Sequence, residues 1–205
     1  MDASNPKSYP GTGTTWYDLS GRDAHGTLNG TVTYNSLGYM NFATMSDSNY
    51  ISSTVSQYYV DMTMVMYPDF SYFAPSFGII GLIATTAPSS NGDKSLRVNS
   101  PGAGNAWNFT NKNPDDTNGW ANGATTYYIN GVAGPSTFSN GWNVFGGYRT
   151  NQSAFPANFS YFLGSGGYGG RGYQGKIAAV YMYNRQLTAA DHLQNYNATK
   201  ARFGL

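Results

Sequence analysis

The 205-residue chain contains no cysteine and no glutamate: all ten of its acids are aspartate. Without cysteine there is no disulfide framework, no thiolate zinc site and no cysteine nucleophile. Two histidines, His25 and His192, leave little for a histidine-rich metal centre. Charged residues make up 10% of the chain and the formal net charge is +1, against roughly a quarter charged in a typical soluble domain. A near-neutral chain without a basic block is not expected to bind nucleic acid through phosphate contacts. No apolar run approaches the roughly 20 residues a membrane helix needs, so no membrane partner is expected. The opening Met1-Asp-Ala-Ser-Asn-Pro-Lys-Ser-Tyr-Pro-Gly11 has no apolar stretch of the kind a signal peptide carries.

Aliphatic residues are scarce as well. Leu, Ile, Val and Phe total 34 residues, a low share that signals disorder only when net charge is high. The deficit is made up by 18 Tyr, 7 Met and 4 Trp, large side chains able to bury much apolar area. At this length a single core buries roughly 70% of the unfolded surface. One aromatic-rich domain spanning residues 1–205 is expected.

What is abundant is turn chemistry. Asn-Gly occurs six times, at Asn29, Asn91, Asn118, Asn122, Asn130 and Asn140, and this is the preferred pair for type I′ hairpins because both central residues need positive φ. Between the turns lie short runs rich in β-branched and aromatic residues. Alternation from Val60 to Tyr67 puts Val60, Met62, Met64 and Met66 on one face. Phe77–Ile83, Thr126–Ile129, Trp142–Phe145, Phe159–Leu163 and Lys176–Tyr183 complete the strand candidates. Met62, Met64, Met66, Ile79, Leu82, Ile129, Val144, Ile177 and Val180 are the expected core. One C-terminal helix is predicted, opened by Thr188-Ala-Ala-Asp191 as a capping box, with Leu193 and Tyr196 as its apolar face, His192 exposed to solvent and Gly204 ending the turn. The pattern therefore points to an all-β fold, a sandwich or a jelly roll, with one short C-terminal helix.

Three stretches invite a chemical reading. Gly164–Gly175 holds seven Gly in twelve residues and formally matches phosphate-loop patterns. Those motifs need a following helix whose N–H groups meet the phosphate, and a β-like run follows here. The tract reads as a loop whose Tyr168, Arg171 and Tyr173 are candidate partner contacts. Asn105–Gly123 gathers Trp107, Asp115, Asp116, Asn118 and Trp120, the side chains of a sugar site, with Tyr148 as a further stacking candidate; the same composition also describes a long turn. Its Asn111-x-Asn113-x-Asp115 lacks the glycine and closing glutamate of an EF-hand. Asp18-Leu-Ser-Gly-Arg-Asp23, near His25, reads as a turn held by aspartate side chains.

The two ends carry a resemblance. Asp2-Ala-Ser-Asn-Pro through Trp16-Tyr-Asp-Leu-Ser-Gly21 and Gly26-Thr-Leu28 resemble the opening of laminin-G-like modules of the concanavalin A-like lectin/glucanase superfamily. Gly175-Lys-Ile-Ala-Ala-Val-Tyr-Met-Tyr-Asn-Arg-Gln-Leu-Thr188, with Asn195-Tyr196 and Arg202-Phe-Gly204, is similar to that family's last strand and terminal helix, and Tyr128-Ile-Asn-Gly-Val132 resembles its central hairpin. The version that opens Asp-Ala-x-Asn-Pro looks most like copies in tailed-phage, especially cyanophage, virion proteins.

That resemblance implies an all-β jelly-roll sandwich of two antiparallel sheets with one short C-terminal helix, serving in a fibre, baseplate or capsid decoration. It implies a place on the virion surface, with other virion proteins and host-surface glycans as partners and a homo-oligomer as one option. The family's Phe-Asp-Gly and Asp-Tyr-Ile are replaced here by Phe42-Ala43-Thr44 and Asn49-Tyr50-Ile51. Two aspartates are thereby lost, so no cofactor is expected and calcium is not supported. The family also tends to carry an apolar strand ahead of Asp-Ala, so either a first strand is missing or the chain is one piece of a longer product. Glucanases of the superfamily use paired glutamates, which this chain lacks. The expectations are a non-enzymatic virion module first, a carbohydrate-binding lectin second and a glycosidase last.

Overall fold

The structure, a computed structural model, describes residues 1–55, 61–69, 79–84, 95–99, 108–111, 127–134, 141–148, 159–164 and 172–205. The strands are β1 (Thr15–Trp16), β2 (Gly26–Asn29), β3 (Thr33–Asn35), β4 (Tyr39–Phe42), β5 (Tyr50–Val55), β6 (Asp61–Pro68), β7 (Ile79–Ala84), β8 (Ser95–Asn99), β9 (Asn108–Asn111), β10 (Tyr127–Ile129), β11 (Val132–Ala133), β12 (Asn143–Tyr148), β13 (Phe159–Leu163) and β14 (Gly175–Tyr183). Helix α1 (Ala189–Thr199) and a 3₁₀ turn (Lys200–Arg202) follow. The strands form two antiparallel sheets, ordered β1-β2-β5-β13-β7-β8-β9 and β11-β10-β12-β6-β14-β4-β3. The expected all-β sandwich with one C-terminal helix is what the chain adopts.

Local chemistry explains several of these elements. Asn130 and Gly131 have φ of 53° and 78° and join β10 to β11, the hairpin that Asn-Gly predicts. Asn29-Gly30 serves another purpose: β2 and β3 lie in different sheets, so this turn carries the chain across the sandwich. Asn49 fastens that crossing. Its buried side-chain oxygen accepts from the Thr31 backbone N–H at 2.8 Å, and its amide donates to the Thr44 carbonyl at 3.0 Å.

The core lies between the sheets. Met62, Met64 and Met66 of β6 are fully buried with Phe145, Ile177 and Val180 beside them, facing Ile51, Tyr161 and Leu163 of the first sheet. Side chains of this size contribute about 1.5–3 kcal/mol each when fully buried. Ile79 and Leu82 have side chains outside the described residues; the other expected core residues are all buried.

Two departures from the sequence pattern are physically informative. Ile177 and Val180 are three apart, so strict alternation puts them on opposite faces. A bulge between Ile177 and Ala179 inserts one extra residue and turns both inward. Strand β6 reads as half-buried, yet Asp61 through Met66 are all buried, because α1 packs over its outer face.

That helix also corrects the reading of His192. It is 3% exposed rather than solvated, and Leu193, expected on the apolar face, is 46% exposed. Helix α1 opens as predicted: Thr188 caps the Asp191 N–H and Asp191 reaches back to the cap. The face it buries is set one residue earlier. His192 stacks on Tyr128 at a centroid distance of 4.0 Å, over Gly146, whose missing side chain leaves space for the imidazole ring.

Candidate functional site

The segment Met1–Asn5, the turn Asp18–Ala24 and the end of β14 enclose an open cleft of about 450 Å³. Its floor is Val180, Met182 and the buried Tyr161, and its walls carry Asn5, Arg22, Tyr183 and Asn184. Pairing geometry holds it open. Val180 exchanges backbone hydrogen bonds with Met1 at 2.9 Å in both directions, while Tyr181 and Tyr183 pair on the other side with β6.

Two carboxylates line the cleft. Asp2 accepts a bidentate pair from Arg202 at 2.7 and 3.0 Å, together with the Tyr181 hydroxyl at 3.2 Å and Ser4. This joins positions 2 and 202 with the geometry that Arg and carboxylate favour. Burial alone would raise its carboxyl, but the Arg202 fork and the Ser4 donors outweigh it and hold Asp2 below its ordinary value. Asp18 behaves likewise: burial is outweighed by the Ser20 hydroxyl and N–H and the Ala24 N–H. This is the aspartate-held turn that the sequence suggests, completed by the Asp18 N–H donating to His25 Nδ1 at 3.1 Å. Burial, with the Asp2 charge beside it, pushes the Tyr181 hydroxyl up to about 12. At neutral pH the cleft therefore offers carboxylate acceptors, hydroxyls, amides and a guanidinium over an apolar floor. That set suits a ligand rich in hydroxyl groups and C–H faces.

The lowered carboxylates predict a pH response. Asp2, Asp18 and Asp191 have folded values below the unfolded one; for Asp191 the causes are the Arg185 fork and the Thr188 cap. Their contribution is fully present above the unfolded value of about 4 and is lost as pH falls through the lower folded values. The melting temperature is expected to drop steadily from about pH 5 to pH 2. In Asp191→Asn the drop should be shallower, read by circular dichroism at each pH.

Of the residues picked from sequence, Trp107, Asp115, Asp116, Asn118, Trp120, Tyr168 and Arg171 lie outside the described residues. Tyr148 ends β12 opposite Asp61, with its side chain outside the described set. The structure places Tyr173 in the core and not in a contact loop: it is fully buried, edge-on to Phe42, and donates to the Lys176 carbonyl at 3.0 Å. Tyrosine at the end of a glycine-rich tract looks exposed in sequence, but here it closes the sandwich. Among the described residues no three His, Cys, Asp or Glu side chains group to hold a metal ion, and no helix is long and apolar enough to cross a membrane. The cleft residues had a signal that pointed elsewhere. Asp2 and Asn5 belong to the opening motif and Tyr181–Asn184 to the closing one, and the fold brings the two motifs together.

Fold and cleft together define a β-sandwich module with a polar, aromatic-walled depression beside its last strand. No family model and no curated protein matches the chain. Solved structures do match. A Trypanosoma rangeli sialidase in complex with sialic acid aligns with a TM-score of 0.58 at 14% identity, covering 99% of this chain and 33% of that one. The same sialidase in complex with the inhibitor DANA gives a TM-score of 0.55 at 12% identity, covering 90% and 31%. The chain thus spans about a third of the sialidase's length, and at these identities the likeness is one of fold.

The expectation that the chain is not an enzyme is overturned by this finding, because the structures sharing the fold are those of an enzyme. The absence of glutamate bears only on glycosidases that pair two carboxylates.

Proposed function

We propose that the chain is a carbohydrate-binding β-sandwich module whose sugar site is the cleft beside β14. The observation that carries this reading is the lining itself, in which Asn5, Asn184 and Tyr183 stand over the apolar floor of Val180 and Met182. The sharing of fold with part of a carbohydrate-processing enzyme supports it. The test is calorimetric titration with oligosaccharides found on a glycan array. Asn184→Ala and Asn5→Ala each remove side-chain hydrogen-bonding groups from the cleft, and each should weaken binding by roughly five- to tenfold. Array and titration both silent at millimolar sugar would refute the reading. A fluorogenic sialoside incubated with the protein reports whether a bound glycan is also cleaved.

For setting, we infer a virion surface, with capsid or tail proteins and host glycans as partners, and a member of the laminin-G-like group as the identity. This rests on the end motifs Asp2–Pro6 and Tyr183–Thr188. Mass spectrometry of purified particles tests it, and absence of the protein from them counts against it.

A further inference from the structure

The outer face of the second sheet holds a feature separate from the cleft. Lys176 Nζ sits 4.6 Å from the ring centroid of Tyr67 and 5.2 Å from that of Tyr39. Lys200 Nζ lies 5.2 Å from the Tyr196 ring. Trp142 ties the cluster together, 5.8 Å from both Tyr39 and Tyr67 and 4.5 Å from Phe203. These rings are only half-buried, and Tyr39, Trp142, Tyr196 and Phe203 pack over Val65, Val144, Ala178 and Ala179.

Neither lysine has a carboxylate at ion-pair distance among the described residues. The acids on adjoining elements are engaged elsewhere: Asp2 with Arg202, Asp191 with Arg185, Asp61 beneath α1, and Asp69 toward Gln174. We propose that this aromatic face, through Lys176 and Lys200, is a binding surface for an acidic glycan whose carboxylates pair with the two ammonium groups. It goes beyond the cleft reading, since none of its rings or lysines lines the cleft.

The chemistry favours a carboxylated sugar over other anions. Ring faces hold the long lysine side chains in place, which lowers the entropy lost when a ligand orders them. Half-exposed Trp and Tyr accept the C–H face of a pyranose. Arg202, the cation best shaped for bidentate phosphate recognition, is already committed to Asp2. Two point charges are also too few for the phosphate contacts, on the order of six or more, that hold a nucleic-acid binder.

The test is titration at low salt of disialyllactose, which carries two carboxylates, against lactose, and of trigalacturonate against its carboxyl-reduced trisaccharide. The two arms separate sialic from uronic acids. At least one acidic member should bind roughly five- to tenfold more tightly than its neutral counterpart. That preference should shrink with added salt and vanish in the Lys176→Gln/Lys200→Gln double variant, with its melting temperature preserved. Asn184→Ala should leave the preference intact, so the cleft and the face fail separately. Equal affinity for acidic and neutral sugars, a preference that survives in the double variant, or equally tight binding of a single-stranded DNA oligonucleotide would each overturn the proposal.

Discussion

Asp61→Ala is expected to destabilise the protein by about 3–5 kcal/mol, because its buried carboxylate holds several donors at once. Asp61 has no exposed surface. Its Oδ1 accepts the Met62 N–H at 2.7 Å, its Oδ2 accepts the Leu187 N–H at 2.8 Å, and His192 Nε2 stands 3.4 Å from Oδ2. The two hydrogen bonds reach from the start of β6 to the residue before the Thr188 cap, so one side chain fastens α1 to the sheet. Alanine leaves buried donors without partners, each costing about 1–3 kcal/mol. For a chain of this size the melting temperature should fall by roughly 10 °C. Asp61→Asn retains one acceptor oxygen and should lose about half as much. Hydrogen exchange distinguishes anchoring from general loosening: amides of Leu187–Thr199 should exchange faster in Asp61→Ala, while those of β12 and β14 change least. A loss under 1 kcal/mol, by urea unfolding, would show that the helix is held by packing alone.

Gly175→Ala should cost about 2–6 kcal/mol, summing backbone strain and overpacking. Gly175 has φ of 138° at the start of β14, a conformation that side chains rarely adopt. A Cβ there would also run into the Tyr67 carbonyl and approach the Tyr173 hydroxyl at 2.9 Å. The carbonyl belongs to a strand paired along its length with β14, while β4 pairs on the other side, so the backbone has no direction in which to yield. Gly134→Ala is the matched control. Gly134 has φ of 83° but nothing within 4 Å of an added Cβ, so it bears only the conformational cost of about 1–3 kcal/mol. Equal losses in the two variants, by urea unfolding, would show that the close approach at Gly175 contributes nothing.

The importance of these residues is invisible in the local sequence. In sequence Gly175 is the last glycine of a loop-like tract, and only the pairing of β14 with β6 and β4 gives it a place where no side chain fits. Asp61 was one polar position in an alternating strand, indistinguishable from a solvated residue until α1 is laid over that face. His192 looks solvated in sequence for the same reason, since a helix of low amphipathicity does not announce which side it buries. The cleft was partly in view: its residues sit in the two end motifs, but their meeting depends on Met1–Ala3 lying along Ala178–Val180, nearly the whole chain apart.

What the residues decided by themselves is local. Asn130-Gly131 dictates a tight hairpin because both residues tolerate positive φ, Thr188 and Asp191 cap the helix they precede, and the methionine alternation of β6 selects its inward face. What tertiary structure alone decided is everything that depends on a second covering surface. The burial of Asp61 and His192, the inward turn of both Ile177 and Val180 across a bulge, and the joining of Asp2 to Arg202 arise between elements distant in sequence. Propensity and periodicity act over a few residues, whereas the desolvation that makes these groups important exists only once both surfaces have closed.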